Sequence, residues 1–288
     1  MKKGRYLLLL VGILSSCGVT NSTSDSVSES SNDISSDVES SEKITNTVET
    51  WNILQDSIYE TTVYKFTSSV PGLKYAIVGG IHGDELAGWK AALQLKNRND
   101  FVGEVLIIPQ ANILACKREE RYPGRGSAVN GVVYKDLNRN FPGNENGNVT
   151  EQIAYAISST VEAFDADYII DLHESLRSSS SSYHDGGTSS RLGDLLIYGN
   201  SWTSLFTQTV IEEYNDTYVT EEDYNFATDT YAPGGSFNQY FGKLYEDRVV
   251  ITIETTRYYN ENEPKREARR TQQQLELIDL IFKCSLEF

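Results

Sequence analysis

The stretch Tyr75-Ala76-Ile77-Val78-Gly79-Gly80-Ile81-His82-Gly83-Asp84-Glu85 constrains the chain most tightly. Its apolar start reads as a buried strand, and the run Leu86-Ala87-Gly88-Trp89-Lys90-Ala91-Ala92-Leu93 behind it reads as a helix. A strand that leaves through glycines straight into a helix is a unit of α/β folds. It puts His82 where the strand ends and Glu85 in the first helical turn. Glycines at 79, 80 and 83 permit the crowded backbone such a junction needs. An imidazole and a carboxylate at a strand's C-terminal end suit a divalent zinc ion. Alone, the His-x-x-Glu spacing is weak, because such pairs recur by chance.

The alternation continues along the chain. Residues 61–66, 74–78, 104–109, 168–172, 195–198 and 249–253 read as strands, most of them continuous apolar runs. Helical periodicity covers the stretch to about Lys96, then 150–164, with Ile153, Ala156, Ile157 and Val161 on one face, then 202–214. A closing helix after Pro264 buries Leu275, Ile278, Ile281 and Phe282. Apolar strands alternating with helices predict an α/β three-layer sandwich whose central sheet is mixed but largely parallel, flanked by helices. Ligands in such folds gather at the C-terminal ends of the strands.

The ends of the chain read differently. Lys2, Lys3 and Arg5 precede an apolar run to Leu14, a secretory-signal pattern too short to span a bilayer comfortably. Leu14-Ser15-Ser16-Cys17 resembles the bacterial lipobox, which makes residues 1–17 a lipoprotein signal peptide and Cys17 the lipidated N-terminus. The expected location is extracytoplasmic, tethered to the membrane through that lipid. Residues 18–48 are Ser, Thr, Asp and Glu with isolated Val and Ile, and cannot bury enough apolar surface to offset the entropy of ordering. They predict a disordered stalk, and residues 49–288 a single catalytic domain.

That domain holds 21 basic against 35 acidic residues in a chain of net charge −16. The balance argues against nucleic acid, whose phosphates ask for a basic face. Beyond Cys17 there are only Cys116 and Cys284, which permit a disulfide without implying one and exclude a Cys-rich zinc site.

The chain has three histidines, and a second one, His173, follows the apolar strand Tyr168-Ile169-Ile170-Asp171-Leu172 directly. Two His and one Glu are the protein ligands of a catalytic zinc that keeps its fourth position for water. The third, His184, sits in a Ser- and Gly-rich run that reads as a surface loop, and it takes no role. Glu254 comes at the end of the apolar strand Val250-Ile251-Thr252-Ile253, a costly place for a carboxylate without a task.

Three segments, His82-Gly83-Asp84-Glu85, Asp136-Leu137-Asn138-Arg139-Asn140-Phe141-Pro142 and Asp171-Leu172-His173, together resemble the zinc metallocarboxypeptidase superfamily. That superfamily includes the succinylglutamate desuccinylase and aspartoacylase branch. A fourth segment, Tyr231-Ala232-Pro233-Gly234-Gly235-Ser236 followed by Glu254, is similar to the carboxypeptidase stretch that joins a mobile tyrosine to the catalytic glutamate. The resemblance implies one zinc ion on His82, Glu85 and His173, with Asp136 orienting His82 from behind. It implies Glu254 as the proton-transfer group and Arg121, from a loop that also holds Lys117, Arg118 and Arg125, as the oxyanion-stabilising arginine. Asn138 and Arg139 would clamp a substrate carboxylate, and Tyr231 would touch substrate. Phe237, after the Gly-Gly-Ser turn, would face the specificity pocket and disfavour a basic side chain.

The implied function is a zinc-dependent hydrolase that cuts an amide next to a free carboxylate. The first choice is a metallocarboxypeptidase acting on peptides, with cell-wall peptides in view of the location. The alternative is an N-acyl amino acid deacylase of the desuccinylase and aspartoacylase kind, which the short domain favours. A rival from another class is a non-catalytic ligand-binding lipoprotein, which loss of Glu254 or of a zinc ligand would have favoured; neither is lost.

Overall fold

The computed structural model of the chain describes residues 44–175, 193–220, 225–230, 232–260 and 263–288. The signal segment, Cys17, most of the stalk, His184 and Tyr231 lie outside the described residues. Eight strands form the central sheet: β1 (Asn46–Ile53), β2 (Thr61–Ser68), β3 (Lys74–Gly79), β4 (Glu104–Ile108), β5 (Tyr168–Ser175), β6 (Leu195–Tyr198), β7 (Ala227–Asp229) and β8 (Val249–Thr256). Among the described residues six α-helices accompany them: α1 (Leu86–Leu95), α2 (Ile113–Arg118), α3 (Val149–Phe164), α4 (Ser201–Thr217), α5 (Phe237–Leu244) and α6 (Glu267–Ser285).

The strand order is β1-β2-β4-β3-β5-β8-β6-β7. The centre, β4-β3-β5-β8, is parallel throughout, whereas β1, β2 and β6 join by antiparallel pairing. Parallel strands must be covered on both faces, and their composition shows it. Residues of alternating parity feed two separate cores. Ile77, Ile107, Ile170, Leu172, Ile251 and Ile253 pack with α1, α4 and α6, while Ala76, Val78, Leu106, Ile108, Ile169 and Val250 pack with α3 and α5. The three-layer α/β sandwich is therefore as expected, with a mixed sheet.

Three differences bear on the reading of the chain. The first strand begins at Asn46, inside the stretch assigned to the disordered stalk, because Thr47 and Val48 pair with Thr67 and Phe66 on β2. β1 lies at the sheet's edge with its central residues exposed, so it carries no apolar alternation to betray it. Strands β5 and β8 do not stop at Leu172 and Ile253. They run on to Ser175 and Thr256, every residue buried, so His173 and Glu254 sit within strands rather than past their ends. Finally, the Gly-Gly-Ser turn leads into a helix, α5, that the sequence reading did not assign: Ser236 accepts a hydrogen bond from Gln239 N–H as its N-cap.

Candidate metal centre and active site

The parity of β5 and β8 decides what faces what. Ile169, Asp171 and His173 share one side of β5, and Val250, Thr252 and Glu254 share the same side of β8, toward α3 and α5. The register sets His173 directly opposite Glu254 and Asp171 opposite Thr252. The turn after β3 brings in His82 and Glu85. Only glycine fits at position 83, because a Cβ there would lie 2.0 Å from the carbonyl carbon of Ala115 in α2.

Glu85 is the hub. Its Oε1 lies 2.8 Å from His82 Nδ1 and its Oε2 lies 2.6 Å from His173 Nδ1, with the two rings 4.9 Å apart centre to centre. One donor atom from each of the three residues falls within 4.8 Å of the others, and all three side chains are buried. Both outward nitrogens face carboxylates: His82 Nε2 hydrogen-bonds Asp136 Oδ1 at 2.9 Å, and His173 Nε2 lies 3.0 Å from Asp171 Oδ2, an ion-pair contact outside hydrogen-bond geometry. Two imidazoles and a carboxylate converging in a buried cleft, each ring fixed from behind by an acid, are the donor set and support a zinc ion asks for. The residues present fit the metal.

The electrostatics follow from burial and from these partners. Burial pushes the Glu85 carboxyl up, but the two imidazoles outweigh it and hold the group well below the usual carboxylate range. Burial disfavours the charged ring of His173, and the Glu85 and Asp171 carboxylates more than reverse this, raising it well above an ordinary histidine. Asp136, despite its burial, is held low by His82, Arg121 and Arg139. Glu254 differs: burial, with the Glu85 and Asp171 charges, outweighs His173 and Arg121 and pushes it up to about 8. Among the described residues its Oε2 is buried with no hydrogen-bond partner, an orphaned acceptor beside the donor set.

The remaining expected residues fall as follows. Arg121 Nη1 lies 3.2 Å from Glu85 Oε1 and its Nε donates to Asp136 Oδ2 at 3.1 Å. Of its neighbours, Arg118 pairs with Glu120 on the surface and Arg125 comes only within 3.8 Å of Asp84. Asn138 follows Asp136 in a 3-10 turn, its Nδ2 3.5 Å from His173 Nε2 and its Oδ1 accepting from Phe237 N–H at 2.8 Å. Arg139 is exposed, with Nη1 on the Asn138 carbonyl. Phe237 does not line a pocket. It is fully buried at the start of α5, packed on Phe141 and Phe241, because the helix turns it into the core. Cys116 and Cys284 are both free and buried.

Two participants carried no readable signal. Thr252 donates to Asp171 Oδ1 and accepts from Asn238 Nδ2 at 3.0 Å, so a buried chain of polar groups runs from α5 to His173. The motif Asp171-Leu172-His173 contained Asp171, but its link to Thr252 depends on strand register and could not be read locally.

The family model of the Succinylglutamate desuccinylase/Aspartoacylase catalytic domain matches residues 71–190, a span that holds His82, Glu85, Asp136 and His173. The carboxypeptidase A of Helicoverpa armigera superposes with a TM-score of 0.59 at 12% identity, over 84% of this chain and 68% of that one. In its fold this chain is similar to the zinc carboxypeptidase-like proteins. A second structure of that fold is the product-bound ectoine utilization protein EutE (DoeB) from Ruegeria pomeroyi, with a TM-score of 0.56 at 18% identity, covering 83% of this chain and 69% of the other. At these identities the structural likeness establishes the fold alone. A sequence relative is the N-alpha-acetyl-L-2,4-diaminobutyric acid deacetylase of Halomonas elongata, 37% identical over 100 residues. The match takes in 34% of this chain and 27% of that protein, so the chain spans about a quarter of the curated relative it matches.

Proposed function

We propose that this chain is a zinc-dependent hydrolase that cleaves an amide bond beside a free carboxylate. The observation that carries the proposal is the pairing of His173 with Glu254 across β5 and β8. It sets a buried carboxylate with one unpartnered oxygen next to the His82, Glu85 and His173 donors. Zinc held by those three residues would supply Lewis-acid polarisation of the scissile carbonyl and of a water molecule. Glu254 takes the proton of the attacking water and returns it to the leaving nitrogen, which must be protonated before the C–N bond breaks. Arg121, held against Glu85 and Asp136, brings a fixed positive charge toward the developing oxyanion. Asp136 keeps the His82 ring in place.

The exposed Arg139 guanidinium and the Asn138 amide hold the substrate's carboxylate, and Tyr231 is a further contact. Two substrate classes fit this clamp. N-acyl amino acids are favoured by the family match and by the deacetylase relative. C-terminal residues of peptides are favoured by the way two carboxypeptidase-like segments are knitted together: Phe237 N–H donates to Asn138 Oδ1 and Phe141 N–H donates to the Gly235 carbonyl at 2.9 Å. The lipobox-like Cys17 would tether the enzyme outside the cytoplasm, where cell-wall peptides are within reach; a Cys17→Ser chain should then leave the membrane fraction.

The test is to load the full chain with zinc and offer N-acyl amino acids, peptides with free C-termini and the same peptides amidated. Release of acyl groups alone selects the deacylase reading, and release of C-terminal residues from free peptides alone selects the carboxypeptidase. No turnover on any of them would sink both. Arg139→Ala should raise KM about tenfold to a hundredfold, the value of a charge-assisted contact, and only for substrates with a free carboxylate. An equal loss on blocked substrates would remove the clamp.

A further inference from the structure

Glu174 follows a proposed metal ligand in sequence, yet its side chain points the other way. Leu172 on β5 packs with α1 and α6, and Glu174 shares that parity, opposite to His173. It is a fully buried carboxylate, and the reaction outlined above has no use for it. Its contacts explain its presence. Helix α1 begins immediately after Glu85, which occupies the N-cap position but makes no side-chain capping bond. The Glu85 carboxylate is turned to His82 and His173 instead. A helix start robbed of its cap leaves orphan N–H groups at the positive end of the helix dipole. Glu174 supplies what Glu85 cannot: its Oε2 accepts from Ala87 N–H at 3.0 Å. Its own backbone N–H donates to Glu85 Oε2 at 3.0 Å.

One residue therefore grips both the helix that carries Glu85 and the Glu85 carboxylate itself, from the strand that carries His173. The helix lies close enough for this because residue 88 is glycine; a Cβ there would sit 2.6 Å from the Leu172 carbonyl oxygen. A buried charge needs a partner, and Arg270 of α6 provides it, donating through Nε to Glu174 Oε1 and through Nη1 to the Lys265 carbonyl. Arg257 approaches at 3.9 Å. Gln274, one turn beyond Arg270, donates to the His173 carbonyl at 2.8 Å, so α6 also braces the second ligand.

We infer that Glu174, backed by Arg270, is a positioning residue that sets the spacing between the Glu85 and His173 ligands and so preorganises the metal site. The inference rests on the metal reading of His82, Glu85 and His173. It is tested by zinc affinity in competition with a chromophoric chelator, and by the visible spectrum of the cobalt-substituted protein. Two full-length variants are compared with wild type: Glu174→Gln, which keeps the shape, and Glu174→Gln with Arg270→Gln, which also avoids a buried unpaired guanidinium. Folding is checked by circular dichroism of the metal-free proteins. The expected result is folded protein that binds zinc about tenfold to a hundredfold more weakly, the range for outer-shell partners, with a changed cobalt spectrum. Unchanged affinity and spectrum in either folded variant would overturn the inference, and so would loss of fold in both, which would make the role purely structural. Failure of wild type to bind zinc would instead overturn the metal reading itself.

Discussion

His82 and His173 do the same job from opposite surroundings. His82 sits on a turn, and its outer nitrogen meets Asp136, a carboxylate about one-fifth exposed that also engages Arg121 and the Asn138 N–H. His173 sits inside a strand, and its outer nitrogen meets Asp171, which is 1% exposed and otherwise bonded to Thr252. The turn side is rich in arginine and open to solvent. The strand side is dry, acidic and fixed by the sheet's own hydrogen bonds. The difference assigns labour: the open side can meet a charged substrate, while the dry side keeps a proton-transfer group at an unusual affinity for its proton. Glu254 belongs to the dry side, and that is why its carboxyl is pushed up rather than down.

The sharpest way to break this division is at Glu254. Glu254→Gln keeps the size and leaves the ligands His82, Glu85 and His173 untouched, so bound zinc should stay near one equivalent. Turnover should fall by about a thousandfold, in the middle of the range for lost general acid–base catalysis. Metal content together with kcat on the preferred substrate checks this, and a variant with wild-type kcat would move proton transfer to another group.

A smaller effect separates the two carboxylates behind the histidines. Asp171→Asn and Asp136→Asn both weaken a ring's support, which costs about tenfold to a hundredfold in metal affinity. Asp171→Asn should lie at the upper end, because no water can reach a site this buried to replace the lost charge. Asp136→Asn should lie at the lower end, since solvent can reach it and the Asn138 N–H keeps an acceptor. Chelator competition on both variants reads the order directly, and the reverse order would mean that burial is not what distinguishes the two sides.

The same contrast governed what could be read before folding. The ligands were legible because chemistry and position coincide: His82 and His173 each follow an apolar run, and the chain has only three histidines. The central strands were legible because burial on both faces leaves continuous Val, Ile and Leu. The strand ends were not, since His173-Glu174-Ser175 and Glu254-Thr255-Thr256 look like exits yet stay buried, with Gln274 of α6 donating to the His173 carbonyl and to Thr255. β1 was hidden by its exposed edge, and α5 by a Gly-Gly-Ser turn that doubles as its cap. The links Asp171 to Thr252 and Glu174 to Ala87 join residues 81 and 87 positions apart. Such links belong to register and packing, and no local pattern encodes them.

The finest test of the dry side is its effect on stability in protein stripped of metal by a chelator. The Glu254 carboxyl, raised from 4.5 to about 8, keeps in the folded state a proton that the unfolded chain releases. The folded state therefore binds more protons between those values, and linkage makes stability fall as pH rises through that window. The contribution is complete below pH 4.5 and lost above about pH 8. Glutamine cannot ionise, so metal-free Glu254→Gln should match wild type at pH 4.5 and gain on it steadily toward pH 8. The gain is read as a rise in Tm that grows with pH, at about 2–4 °C per kcal/mol for a domain of this size. Thermal melts of both proteins across that range measure it. A constant offset at every pH would trace the difference to packing rather than to a proton held by Glu254.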